Sequence, residues 1–165
     1  VPSNFSSFYN DNLVYQPLKK KNTKINNKII HQSKLLKYFE EQDDIEKVEN
    51  DLNKLLKSIK KNKDYIVSTK DLILIESFIS DGVKISKKYK NMFELDGSNI
   101  PTDIQLLLNN KEVGMILLRL VKIIGEDNVE NLDSDSLYFM TGILNELNLD
   151  QIRNNLLLKV LPLKI

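Results

Sequence analysis

The chain contains no cysteine, no tryptophan and no alanine, one histidine, and two arginines against 22 lysines. Without cysteine there is no disulfide, no thiolate metal site and no thiol nucleophile, and the chain fits any redox compartment. Missing alanine and scarce arginine, beside abundant lysine, asparagine and isoleucine, point to a genome poor in G and C. Lysine-rich stretches are therefore partly mutational background. The five glycines, at 82, 97, 114, 125 and 142, are too scattered for a loop that cradles phosphate. The most apolar run, Val113–Ile124, is interrupted by Arg119 and Lys122 and falls short of the ~20 residues of a membrane span.

What is present describes a folded body with a different N-terminal arm. At 165 residues the chain has one domain's length, and 41% apolar residues exclude a disordered tail. The net charge of +1 hides an asymmetry: residues 1–33 hold five lysines against Asp11 alone, a balance of +4, and the remainder balances to −3. Residues 1–22 lack a helical period yet carry Phe5, Phe8, Tyr9 and Tyr15. Four rings are costly to leave in water, so the arm is expected to dock along its own body or, next, in a partner, with plain disorder the remaining reading. The start at Val1 reads as a removed leader or a fragment of a longer protein. The expected organisation is an extended arm over 1–22 and a helical domain over 23–165.

From Thr23 onward apolar residues recur at helical spacing. Ile25, Ile29, Leu36 and Phe39 predict a helix over about 24–41. Asp43 and Glu46 read as a capping box for a second over 44–61, with Ile45, Val48, Leu52, Leu55 and Ile59 as its stripe. Ser68 with Asp71 starts a third, burying Leu72, Ile75, Phe78 and Ile79 and ending at Gly82. A weaker helix over Val83–Met92 and a turn over 96–99 follow, then a short helix capped by Thr102 and Gln105. Val113–Ile124 is apolar nearly all round and is predicted to be central to the core, ending at Gly125. Asp133 or Ser134 starts the next helix. Asp150 caps the last, which stops at Pro162. Gly114 and Gly142, inside these helices, are expected to mark close helix crossings.

Paired helices thus begin near 24, 69, 102 and 134. The expected fold is all-α: seven or eight helices in antiparallel hairpins, stacked as a short, degenerate, solenoid-like array. The block Gly114–Leu161, with "IIGEDNVENLDSDS" and "GILNELNLDQIRNNLLLKVL", resembles the C-terminal part of large uncharacterised bacterial helical-repeat proteins. Leu149, Asp150 and Arg153 occupy that pattern's leucine-acidic turn and helix-start arginine. The resemblance implies a helical-repeat fold and brings no activity or site residues.

Little in the sequence points to chemistry. His31 has no acid or nucleophile beside it in sequence and reads as a surface or helix-face histidine. The pairs Asp43/Asp44 and Asp133/Asp135 sit at helix starts, where negative charge is favoured. The loop holding Glu126, Asp127, Glu130, Asp133 and Asp135 lacks the spacing of a helix–loop–helix calcium motif and reads as a solvated turn. No catalytic, cofactor-binding or metal-binding residue is assigned. The expected function is non-enzymatic: a protein–protein interaction or scaffold module, with a protein partner or self-association. The alternative is a nucleic-acid or anionic-surface binder using Lys54, Lys57, Lys60, Lys61 and Lys63, then Lys84, Lys87, Lys88 and Lys90, with Lys19–Lys28 upstream. A nucleic-acid partner is the less expected of these.

Overall fold

The computed structural model describes residues 24–41, 44–93, 100–125 and 128–163. Eight α-helices appear among them: α1 Lys37–Glu41, α2 Ile45–Lys61, α3 Thr69–Ser80, α4 Lys87–Lys90, α5 Thr102–Asn109, α6 Val113–Ile124, α7 Ser134–Glu146 and α8 Asp150–Val160. Three 3₁₀ turns, Ile30–Gln32, Lys34–Leu36 and Val129–Asn131, join them. Among the described residues the only extended pairing is one antiparallel bridge between Lys24 and Leu163. The chain is all-α. The arm over 1–22, Asp43, the turn over 96–99, Glu126 and Asp127 lie outside the described residues.

The helix at the centre of the core is α3. Asp71, Ile73, Leu74, Ile75, Ser77 and Phe78 are all buried, so it is covered on more than one side. Its start is the expected capping box: Asp71 N–H donates to Ser68 Oγ (3.2 Å), and Ser68 N–H donates to Asp71 Oδ2 (3.0 Å). Its end needs Gly82, whose φ of +90° lets Val83 N–H donate back to Phe78 O at 3.0 Å. The most extensive packing in the fold is between α3 and α7, and Tyr138 O–H donates to Glu76 Oε1 (2.6 Å) across it. From α1, the Phe39 ring stacks on Phe78 with centroids 4.9 Å apart.

This placement corrects the expectation that Val113–Ile124 is the central helix. In α6 only Ile116, Leu120, Val121 and Ile124 are buried, whereas Met115, Leu118 and Ile123 are exposed. Its main neighbour is α5, a short helix with one buried residue, Ile104, and among the described residues nothing covers the flank of Met115, Leu118 and Ile123. Hydropathy alone does not say whether neighbours exist.

Other differences are local. The helix expected over 24–41 is broken into two 3₁₀ turns and the five-residue α1, because side chains divert its backbone bonds. Lys28 N–H donates to Asn26 Oδ1, Lys34 N–H to Asn27 Oδ1, and Ser33 Oγ–H to Ile30 O. The cap of α2 is Asp44, whose Oδ1 accepts from Glu46 N–H (3.2 Å). The stripe of α2 turns about its axis from that expected, burying Leu56 fully and leaving Ile45 exposed. Ile79 is likewise exposed. Pro101 and Leu149, without side-chain caps, precede α5 and α8, so Thr102 and Asp150 are first helical residues and not caps. The weak helix over 83–92 shrinks to the four residues of α4.

Neither Gly114 nor Gly142 marks a close crossing: a Cβ at either would meet nothing within 4 Å. Both therefore carry glycine's helix penalty without a packing reason. Gly142→Ala, in the middle of α7, should raise unfolding free energy by about 1 kcal/mol in denaturant titration. A loss of stability would show that the α7 backbone is in tight contact after all.

Candidate interaction surfaces

The fold brings the single histidine to a carboxylate 40 residues away. His31, in the 3₁₀ turn Ile30–Gln32, is 8% exposed, so of the two readings, surface or helix-face, the surface one does not hold. Its Nδ1–H donates to Asp71 Oδ1 (2.7 Å), and its backbone N–H donates to the same oxygen (3.0 Å). Asp71 Oδ2 accepts from the Tyr65 hydroxyl (2.7 Å) and from Ser68 N–H (3.0 Å). Tyr65 Oη accepts in turn from Ile30 N–H (3.1 Å). The carboxylate thus receives four donors, close to its full capacity. Burial pushes its pKa up, but the bonds from His31, Ser68 and Tyr65 prevail and hold it below its ordinary value. Burial pushes the Tyr65 phenol well above its ordinary value.

A serine, a histidine and an aspartate therefore meet, but not as a proton relay. Ser68 Oγ lies 3.4 Å from Nδ1, the nitrogen already bonded to Asp71. A nucleophilic hydroxyl must address the opposite nitrogen, and Nε2 instead faces the Gln32 amide nitrogen at 3.4 Å. The cluster is a clasp that fixes residues 30–32 to the start of α3.

A second buried polar centre surrounds Arg153, which is 0% exposed. Its Nη2 donates to Asp81 Oδ2 (2.9 Å) and Asn154 Oδ1 (2.8 Å), its Nη1 to Asn145 Oδ1 (3.0 Å), and its Nε to Asn154 Oδ1 (3.1 Å). Asp150 Oδ1 lies 3.3 Å from Nη1, and the guanidinium sits 5.7 Å from the Phe39 ring centre. Burial and then the neighbouring Asp81 carboxylate push the Tyr38 phenol up to about 12.

Among the described residues two surfaces stand apart from these interior clusters. The first belongs to α5 and α6. Leu106 (58% exposed), Met115 (49%), Leu118 (46%) and Ile123 (45%) are large apolar side chains left in water. Asp103 and Leu106 share one side of α5, and Met115 and Arg119 one side of α6. A contact of 3.8 Å between Arg119 Nη2 and Asp103 Oδ2 brings the two ridges together. Lys111 and Lys122 lie at the rim without an ion-pair partner among the described residues. The second surface is made by the lysine groups of α2 and α4, which the fold places side by side.

Among the described residues, no group of three or more His, Asp or Glu side chains is placed to hold a metal ion. Within the acidic loop, Asp133 is occupied in capping α7, accepting from Ser136 N–H (2.9 Å) and Oγ–H (2.8 Å). No described helix is long and apolar enough to cross a membrane. Compared with models of protein families, with curated proteins and with solved structures, the chain matches none.

The clasp has a pH signature. A carboxyl held low in the folded state contributes stability that is complete above its unfolded pKa of roughly 4 and is lost as pH falls through the folded value. Asp71→Asn should therefore cost about 3 kcal/mol at pH 7 and flatten the decline of stability between pH 4 and 2. Denaturant titrations at pH 7, 4 and 2 check this; parallel pH curves for both proteins would refute the clasp's role.

Proposed function

We propose that the protein is a non-enzymatic interaction module: a short array of stacked helical hairpins that presents its α5–α6 pair to another protein. One observation carries this reading. Four large aliphatic side chains stand between 45% and 58% exposed on two adjacent helices, whereas the other exposed ones among the described residues, Ile25, Ile45, Ile66 and Ile79, come from four separate segments. The sequential packing of α5 with α6 and of α7 with α8 supports the hairpin arrangement, as does the resemblance of Gly114–Leu161 to helical-repeat proteins.

The partner has a definable chemistry. Lys111 and Lys122 flank the apolar row, and Asp103 is already opposite Arg119. A partner helix with leucine-like residues at three- and four-residue spacing would fill the ridge between α5 and α6. Carboxylates beside that stripe would meet the two lysines. Recognition is then burial of Met115, Leu118 and Ile123 as anchors, with the charges fixing orientation.

The test is a photo-crosslinking residue in place of Leu118, compared with the same residue in place of Asn50, in cells that make the protein. The expected result is a product specific to position 118, mapping to an acid-bearing amphipathic helix of a different protein. It should disappear when Met115→Asp and Lys122→Glu are added. Identical products from both positions, or products only with further copies of this chain, would overturn the proposal.

A further inference from the structure

We infer that the corner formed by α2 and α4 docks on an anionic lipid bilayer. Residues 54–63 carry Lys54, Lys57, Lys60, Lys61 and Lys63 without a carboxylate, and residues 84–90 carry Lys84, Lys87, Lys88 and Lys90, again without one. The fold joins the two groups. Lys60 Nζ donates to the Lys88 carbonyl (3.0 Å), and the Lys60 and Lys88 ammonium groups stand 5.8 and 4.8 Å from the Tyr89 ring centre. Lys84 N–H is anchored to α2 through Glu49 Oε1 (2.7 Å).

On α2 the buried stripe is Val48, Leu52, Leu56 and Ile59. Lys54 and Lys61, seven residues apart, stand in one row away from that stripe, with Lys57 beside them and the uncharged Asn50 and Ser58 filling the gaps. Among the described residues, Lys54, Lys57, Lys61, Lys63, Lys87 and Lys90 have no ion-pair partner. Among the described residues four carboxylates belong to or follow α2 here: Glu46 stands one turn before Asn50, Glu49 holds the Lys84 backbone, Asp51 pairs with Lys34 at 3.3 Å, and Asp64 lies in the loop after the helix. A lysine-rich composition explains the number of lysines. It does not explain why 23 acidic residues avoid both windows, since such clustering is self-repulsive in an isolated molecule.

Three observations favour a bilayer over a nucleic acid. Neither arginine of the chain is here, so the planar fork that reads phosphates and bases is missing, and compact ammonium charges suited to a diffuse anionic surface take its place. Among the described residues of this corner no ring stands free for base stacking: Tyr89 is buried, and Tyr65 is half-buried with its hydroxyl held by Asp71. Third, Ile66, three residues beyond Lys63, is 87% exposed. An aliphatic side chain beside a basic cluster suits the acyl boundary of a membrane.

The experiment is co-sedimentation of the full 165-residue chain with vesicles of phosphatidylcholine alone and of phosphatidylcholine with 30% phosphatidylserine. A 30-nucleotide oligothymidylate and a 20-base-pair RNA duplex run in parallel. Binding is expected only to the serine-containing vesicles, weakening steeply with salt. Each lysine neutralised should cost about fivefold in partitioning, so Lys54→Gln, Lys57→Gln and Lys61→Gln together should cost about a hundredfold with an unchanged thermal melt. Ile66→Asn should cost about tenfold. The N-terminal arm has lysines of its own, which makes the triple variant decisive: undiminished binding by it overturns the proposal. So does absence of vesicle binding, or equal or tighter binding to either nucleic acid.

Discussion

A helix enclosed by its neighbours must have each charged side chain met from inside the protein, and α3 meets that demand three times. Asp71, Glu76 and Asp81 are five residues apart, so on a helical repeat each is turned about 140° from the one before. They face three sides of the helix axis. His31 and Tyr65 reach Asp71, Tyr138 reaches Glu76, and Arg153 reaches Asp81 at the C-terminal cap. Elements from both ends of the described chain are thereby registered against one helix. Burial raises the pKa of Glu76 and the bond from Tyr138 lowers it in part, so that contact resists ionisation more than the Asp71 clasp does.

The Arg153 centre shows why the partners must be complete. A guanidinium without solvent is tolerated only when its donors are met, and breaking one buried pair costs far more than the pair's net worth. Asp81, Asn145, Asn154 and Asp150 surround its nitrogens, and the Phe39 ring covers one face. Phe39 and Tyr38 come from α1, Asn145 from α7 and Arg153 from α8, so three separate elements converge there with α3.

Signals that act within a few residues were readable in advance. Ser68 with Asp71, Asp133, Gly125 and Pro162 mark the ends of their helices as local capping chemistry dictates. Contacts across the chain were not, because nothing in sequence spacing links His31 to Asp71 or Asp81 to Arg153. The most consequential reversal is between α3 and α6. Lys70, Asp71, Glu76 and Ser77 made α3 look one-sided, and aliphatics nearly all round made α6 look central, yet among the described residues α3 is enclosed and α6 keeps one flank bare. The carboxylates at 71, 76 and 81 were the available clue, since an even spacing of five fits neither a solvent face nor a simple stripe. For the surfaces, the two lysine windows were visible separately. Their union needed the Lys60–Lys88 contact, and the apolar ridge needed knowledge of which side of α6 lacks a neighbour among the described residues.

The architecture thus divides into an interior organised about α3 and an exterior of two unlike faces, one aliphatic on α5–α6 and one cationic on α2–α4. Native-state hydrogen exchange tests that division most directly, because amides of a central helix open only with the whole molecule while those of a peripheral one open locally. The backbone amides of Ile73–Phe78 and of Met140–Leu144 should exchange with the free energy of global unfolding, and those of Leu117–Ile123 several kcal/mol more readily. If the amides of α6 prove as slow as those of α3, or slower, α3 is not the helix on which the fold is organised.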